Sequence, residues 1–98
     1  MIINYGKHTV DQKDVTEIKK VLVNQMLTQG KYNSYFEKKL RTKFGSKYCS
    51  VVSSGTAALH LALMALSLPK NSKVATIPLT FVATSNSILM NNLITEFV

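Results

Sequence analysis

The 98-residue sequence has no tryptophan, one cysteine, two prolines and only five acidic residues. A single cysteine excludes an internal disulfide, and the place of Cys49 in the apolar run YCSVV marks it as a small buried hydrophobe. No apolar run approaches the ~20 residues needed to cross a bilayer. The longest, Ala57 to Leu66, is interrupted by His60. The opening MIINYGKHTV has no basic region followed by an apolar core, so no secretory signal is read there and a cytoplasmic location is expected. Low-complexity tracts are also missing, and with 46% hydrophobic and 17% charged residues the chain has the composition of a globular protein. Its length allows one modest domain with a limited core.

What the chain does have is positive charge, +7 in all, with ten of the twelve Lys and Arg residues before Tyr48. These lysines are scattered over helical faces and read as solvated surface. A basic module binding RNA or another polyanion is the alternative. Against it, few aromatics are interleaved and no nucleic-acid-binding signature is present.

Along the chain, VDQKDVTEIKKVLVNQML opens with Asp11 as an N-cap and Asp14 three residues on, then repeats apolar residues at Val15, Ile18, Leu22 and Met26. That is the pattern of an amphipathic helix. A loop containing Gly30 follows. Ser34 and Glu37 then form a capping box for a second helix over about Tyr35 to Phe44, with Gly45 as its terminator. Beyond it the pattern changes to strand (KYCSVVS), helix (Ala57 to Leu68), strand (KVATIP), helix (Phe81 to Asn91) and strand (ITEFV). The expected fold is a parallel α/β sheet, with residues 1–47 as a helical segment and 48–98 as the start of an α/β domain. Because nothing after the third strand covers it, the chain is read as the N-terminal piece of a larger domain.

Two stretches carry chemistry. In SSGT, Ser53 to Thr56, small hydroxylated residues sit where a strand gives way to a helix, and free N–H groups with the helix dipole favour an anion. Gly55 can adopt a backbone conformation barred to other residues and has no side chain to obstruct a phosphate, and Ser54 and Thr56 offer hydroxyls. Plain helix capping explains the same residues, and the lysine of a P-loop is missing. In TIPLTFVATSN, Phe81 follows the C-terminal end of a strand, on the side where parallel sheets hold ligands. It reads either as a stacking ring or as a core aromatic.

The blocks INYGKHTVDQKDV, MLTQGKYNSYFEKKLRTKFGSKY, SSGTAALHLALMAL and TIPLTFVATSNSIL occur in the order and approximate spacing of one family. In them the chain resembles the N-terminal part of the DegT-type sugar aminotransferases, enzymes of fold type I that depend on pyridoxal phosphate. The resemblance implies that Gly55, Thr56 and Ala57 cradle the cofactor phosphate and that Phe81 stacks on its pyridine ring. It further implies that Tyr5 and the loop from Thr28 to Lys31 lie near a nucleotide-sugar site, close to the partner in a homodimer. The implied reaction moves an amino group from glutamate to a UDP-linked 4-keto-6-deoxy sugar, as in pseudaminic acid biosynthesis. No metal, membrane or nucleic-acid partner is implied, and His60 has no assigned role.

The same resemblance places the Schiff-base lysine and the carboxylate facing the pyridinium nitrogen beyond Val98. No catalytic residue is therefore assigned within these 98, and the chain alone is expected not to turn over; a non-catalytic remnant that folds only with a partner chain is the second alternative. It also implies that the first strand, Tyr48 to Ser53, pairs with strands arriving later than any here.

Overall fold

The computed structural model describes residues 6, 8–28 and 30–98, in two compact units, Met1–Cys49 and Ser50–Val98. Of the sequence-derived site residues, Tyr5 lies outside the described set.

The first unit carries two helices, α1 (Gln12–Asn24) and α2 (Lys31–Phe44). The capping box of α1 forms as its sequence expects. The Asp11 carboxylate accepts from the Lys13 and Asp14 N–H groups at 2.7 and 3.0 Å, and Asp14 accepts from the Asp11 N–H at 3.0 Å. Asp11→Ala removes acceptors for otherwise orphaned N–H groups and is expected to destabilise α1 by about 1 kcal/mol. Loss of helicity by circular dichroism, restored in Asp11→Ser, checks it. Met26, expected in the apolar stripe of α1, falls beyond the helix, and Val15, Ile18 and Leu22 remain exposed.

The Ser34 and Glu37 capping box is a correction. The second helix begins at Lys31 with Gly30 as its N-cap, so Ser34 lies inside it, where helical backbone prevents a capping role. Gly30 is required by close approach, since a Cβ there would stand 2.8 Å from the Met26 carbonyl oxygen. At the other end, Gly45 takes the left-handed conformation (φ 64°) and its N–H closes on the Arg41 carbonyl, the terminator that the sequence expects.

The second unit contains α3 (Gly55–Ala65), β1 (Lys73–Thr76), α4 (Ala83–Met90) and β2 (Ile94–Phe97). The strands pair in parallel with Lys73 opposite Ile94 and Thr76 opposite Phe97, so β1, α4 and β2 form one crossover unit. Pairing extends past both ends through Ile94 N–H to Ser72 O (2.9 Å) and Val98 N–H to Thr76 O (3.0 Å). The expected α/β class with parallel strands holds. The expected first strand does not form: among the described residues the sheet consists of β1 and β2 alone. A strand exists only where a neighbour accepts its ladder, and neither β1 nor β2 pairs with Tyr48 to Ser53, in keeping with the expectation that its partners come later in the sequence.

The core is small and lies where α4 packs on α3 and the sheet. Ile88, Leu93 and Ala83 are the buried apolar residues among those described, and buried Ser87 is satisfied by donating to the Thr84 carbonyl at 2.8 Å. A Lys73–Glu96 ion pair at 3.3 Å bridges the strands in solvent, where such pairs contribute less than about 1 kcal/mol.

Candidate functional site

The SSGT stretch folds differently in detail from its sequence reading. Helix α3 starts at Gly55, two residues earlier than expected, and Ser54 is its N-cap in extended conformation. Gly55 is therefore the first helical residue, and its φ is not positive. The absence of a side chain matters there; conformational freedom does not. A Cβ on Gly55 would meet nothing within 4 Å, so packing within the chain does not demand glycine and the space beside it is open.

The first turn of an α-helix leaves its leading N–H groups without partners inside the helix. In α3 the third is taken, because Ala57 N–H donates to Ser54 Oγ at 3.1 Å, and Ala58 N–H closes on the Ser54 carbonyl at 3.1 Å. Those of Gly55 and Thr56 have no partner among the described residues. The result is a pair of adjacent donors at the positive end of a helix dipole, with no carboxylate in its first turn.

Phe81 stands one residue before Val82, the N-cap of α4, and is 76% exposed, outside the core formed by the described residues. Its position is fixed by the turn around it. Thr84 N–H donates to the Phe81 carbonyl at 3.0 Å, the Thr80 and Thr84 hydroxyls lie 3.2 Å apart, and Ser85 Oγ donates to the Val82 carbonyl at 3.1 Å. None of these hydroxyls accepts from an N–H of the first turn, so α4 has no side-chain cap.

Gly55, Thr56 and Phe81 come together on one open cleft of about 710 Å³, lined also by Ala58, Leu59, Ala62, Ala83 and Thr84. The structure thus joins two sequence stretches some 25 residues apart. Ala57 does not line the cleft. The helical wall was missed by the sequence reading, although Gly55, Ala58, Leu59 and Ala62 follow the spacing of one helix face, a signal that identifies them.

In the first unit, Thr28 is exposed in the loop before α2, while Lys31 opens that helix with its Nζ 5.9 Å from the Tyr32 ring centroid. Lys31 shares a shallow concavity of about 490 Å³ with Glu17, Tyr32 and Tyr35. Thr28 is not among the residues lining it. No metal-binding cluster of His, Cys, Asp or Glu occurs among the described residues, nor is any helix among them long and apolar enough to cross a membrane.

A parallel α/β unit in which a helix N-terminus and an exposed aromatic ring face one cleft defines a class of protein suited to a phosphorylated ring compound. More narrowly, the chain belongs to the DegT/DnrJ/EryC1/StrS aminotransferase family, whose pattern matches residues 8–98. It is 40% identical over 97 residues to the UDP-4-amino-4,6-dideoxy-N-acetyl-beta-L-altrosamine transaminase of Campylobacter jejuni, covering 99% of this chain and 26% of that protein. Among solved structures, Helicobacter pylori PseC, an aminotransferase involved in the biosynthesis of pseudoaminic acid, matches with a TM-score of 0.87 at 31% identity. That match covers 97% of this chain and 26% of PseC. The Escherichia coli GDP-4-keto-6-deoxy-D-mannose-3-dehydratase with bound hydrated pyridoxal phosphate matches at a TM-score of 0.85 and 30% identity, over 100% of this chain and 27% of the dehydratase. The chain therefore spans about a quarter of the length of the relatives it matches. Pyridoxal phosphate is the cofactor of this group, and the cleft fits it on three counts: two N–H donors without a partner among the described residues, open space at Gly55 and an exposed ring at Phe81.

Proposed function

We propose that this chain holds pyridoxal phosphate in the α3–α4 cleft and belongs to an enzyme that transfers an amino group, from glutamate, to a UDP-linked 4-keto-6-deoxy sugar. The observation that carries the first half is the convergence of Gly55, Thr56 and Phe81 on one cleft. The 40% identity to a transaminase acting in amino-sugar chemistry supports the second.

Each residue has a physical role. The Gly55 and Thr56 N–H groups donate to the phosphate, charge-assisted and aligned with the dipole of α3. The Thr56 hydroxyl adds a donor. Ser54 holds the turn through the Ala57 N–H, and Ala57 keeps the turn slim behind the donors. Phe81 covers one face of the pyridine ring. Bound pyridoxal phosphate would supply the aldehyde that carries the amino group and a ring that delocalises electrons.

Tyr5, Thr28 and Lys31 are proposed to face the nucleotide sugar, in a homodimer located in the cytoplasm. Residues 1–47 are assigned to a helical segment and 48–98 to the beginning of the cofactor domain. None of these 98 residues matches the family's cofactor-bonding lysine, so the chain by itself is proposed to bind without turning over.

The test is a comparison of pyridoxal phosphate with pyridoxal by equilibrium dialysis. If the two N–H donors grip the phosphate, the phosphorylated form binds about 100-fold more tightly, in line with ~1.5–3 kcal/mol for a charge-assisted hydrogen bond. Equal affinities overturn the reading. Phe81→Ala is expected to leave stability within about 0.5 kcal/mol, because the ring is exposed. The same change weakens pyridoxal phosphate binding about tenfold, as loss of stacking and covered area requires.

A further inference from the structure

Asn91 follows the last residue of α4 and reaches across to the middle of α3. Its Nδ2 donates to the Ser87 carbonyl at 2.8 Å and to the His60 carbonyl at 3.1 Å, and lies 3.2 Å from His60 Nδ1. An amide nitrogen has two hydrogens. One is held within α4 by Ser87, and the second is shared between the two acceptors of His60. A hydrogen bond from Nδ2 to Nδ1 requires the ring hydrogen to sit on Nε2.

No other side-chain hydrogen bond joins α3 to α4 among the described residues. On α4 the buried residues are the small or apolar Ala83, Ser87 and Ile88, and the polar link adds a directional contact to that packing. His60 lies five residues into α3 from Gly55, and Asn91 eight residues along from Ala83, or roughly 7.5 and 12 Å at 1.5 Å per residue. The link lies outside the cleft lining, beside an α3 wall that runs from Gly55 to Ala62, and at the opposite end of α4 from Ala83 and Thr84, which line the cleft. A 10° pivot of α4 about that end would carry its N-terminus about 2 Å, taking Phe81 with it. Misplacement of ~1 Å is enough to impair a bound group held at both ends.

We propose that Asn91 is a positioning residue: by tying α4 to α3 at His60 it sets the distance between the Gly55–Thr56 turn and Phe81, presetting the cleft to the length of a phosphorylated pyridine. This rests on the cofactor reading above. It assigns a role to His60 and Asn91, neither of which touches the cleft.

The experiment compares two probes, pyridoxal phosphate and inorganic phosphate, on the full-length protein and its Asn91→Ala variant, with folding followed by circular dichroism. Inorganic phosphate needs only the α3 turn, whereas pyridoxal phosphate needs the turn and the ring at a fixed separation. Asn91→Ala is expected to weaken pyridoxal phosphate about tenfold and inorganic phosphate less than twofold. Equal losses on both probes, or none, overturn the proposal. Parent protein that binds pyridoxal phosphate no better than phosphate defeats the cofactor reading instead, and this proposal with it. Should Asn91→Ala not fold, His60→Ala, which removes only the ring's share of the link, is expected to give a threefold loss confined to pyridoxal phosphate, and an equal loss on both probes counts against the proposal. In the parent protein, ¹⁵N NMR of His60 should show Nε2 protonated and Nδ1 accepting; a hydrogen on Nδ1 contradicts the link.

Discussion

Gly55→Asp is expected to reduce binding of pyridoxal phosphate at least 100-fold while the second unit stays folded. Two observations separate the effects. A Cβ at position 55 meets nothing within 4 Å and the backbone there is ordinary helix, so the new side chain fits. An acidic residue in the first turn is favourable to the helix, by about 0.3–1 kcal/mol, because it faces the positive end of the dipole. For the ligand the same charge is adverse. At ~4 Å and an effective dielectric of about 20, two like charges repel by about 4 kcal/mol, and salt screening leaves a penalty near the 2.8 kcal/mol that corresponds to 100-fold. Gly55→Ala is the uncharged control, expected to keep or slightly raise stability with only a modest loss of affinity. Dialysis and a thermal melt on both variants separate loss of the anion site from loss of the fold.

Ile88→Ala is expected to abolish cooperative unfolding of the second unit. Ile88 is 2% exposed and shares the core with Leu93 and Ala83 among the described residues. Removing a buried isoleucine side chain to alanine costs about 2–5 kcal/mol. At ~0.1 kcal/mol per residue, a unit of this length has a total stability of about 5 kcal/mol, so the loss is comparable with the whole. Leu79→Ala, at a position 92% exposed, should change stability by less than about 0.5 kcal/mol. Urea melts of the two variants give the contrast: a flattened transition for the first and an unchanged midpoint for the second.

The parts of the fold that were legible in the sequence are those determined locally. The capping box of Asp11 and Asp14, the left-handed Gly45 and the alternation from β1 through α4 to β2 each depend on residues a few positions apart. The failures are of two kinds. Ser34 has the right residue type for a cap, yet the chain enters α2 one turn earlier at Gly30, and a cap is decided by where the backbone becomes helical. Tyr48 to Ser53 has strand composition, but a ladder needs a partner, and it is the family resemblance rather than local sequence that places its partners later than any segment here.

The site divides in the same way. The donors at Gly55 and Thr56 were readable because the first N–H groups of any helix lack partners within it. Phe81 is ambiguous in sequence between core and stacking, and in this structure its ring is exposed beside the cleft, where stacking is proposed. The Asn91–His60 link joins residues 31 positions apart, and neither residue type specifies the other. Nothing in periodicity or composition announces it. The Thr80–Thr84 pair that steadies Phe81 lies at one-turn spacing and was within reach of a closer reading.

The central claim is that the first turn of α3 grips the phosphate while Phe81 covers the ring. Amide NMR on titration with pyridoxal phosphate tests it most directly. The account requires the Gly55 and Thr56 N–H resonances to move strongly downfield, with ring-current shifts spreading around Phe81 and Thr84. Saturable binding that leaves the Gly55 and Thr56 amides where they were, with the perturbation elsewhere on the chain, would contradict it.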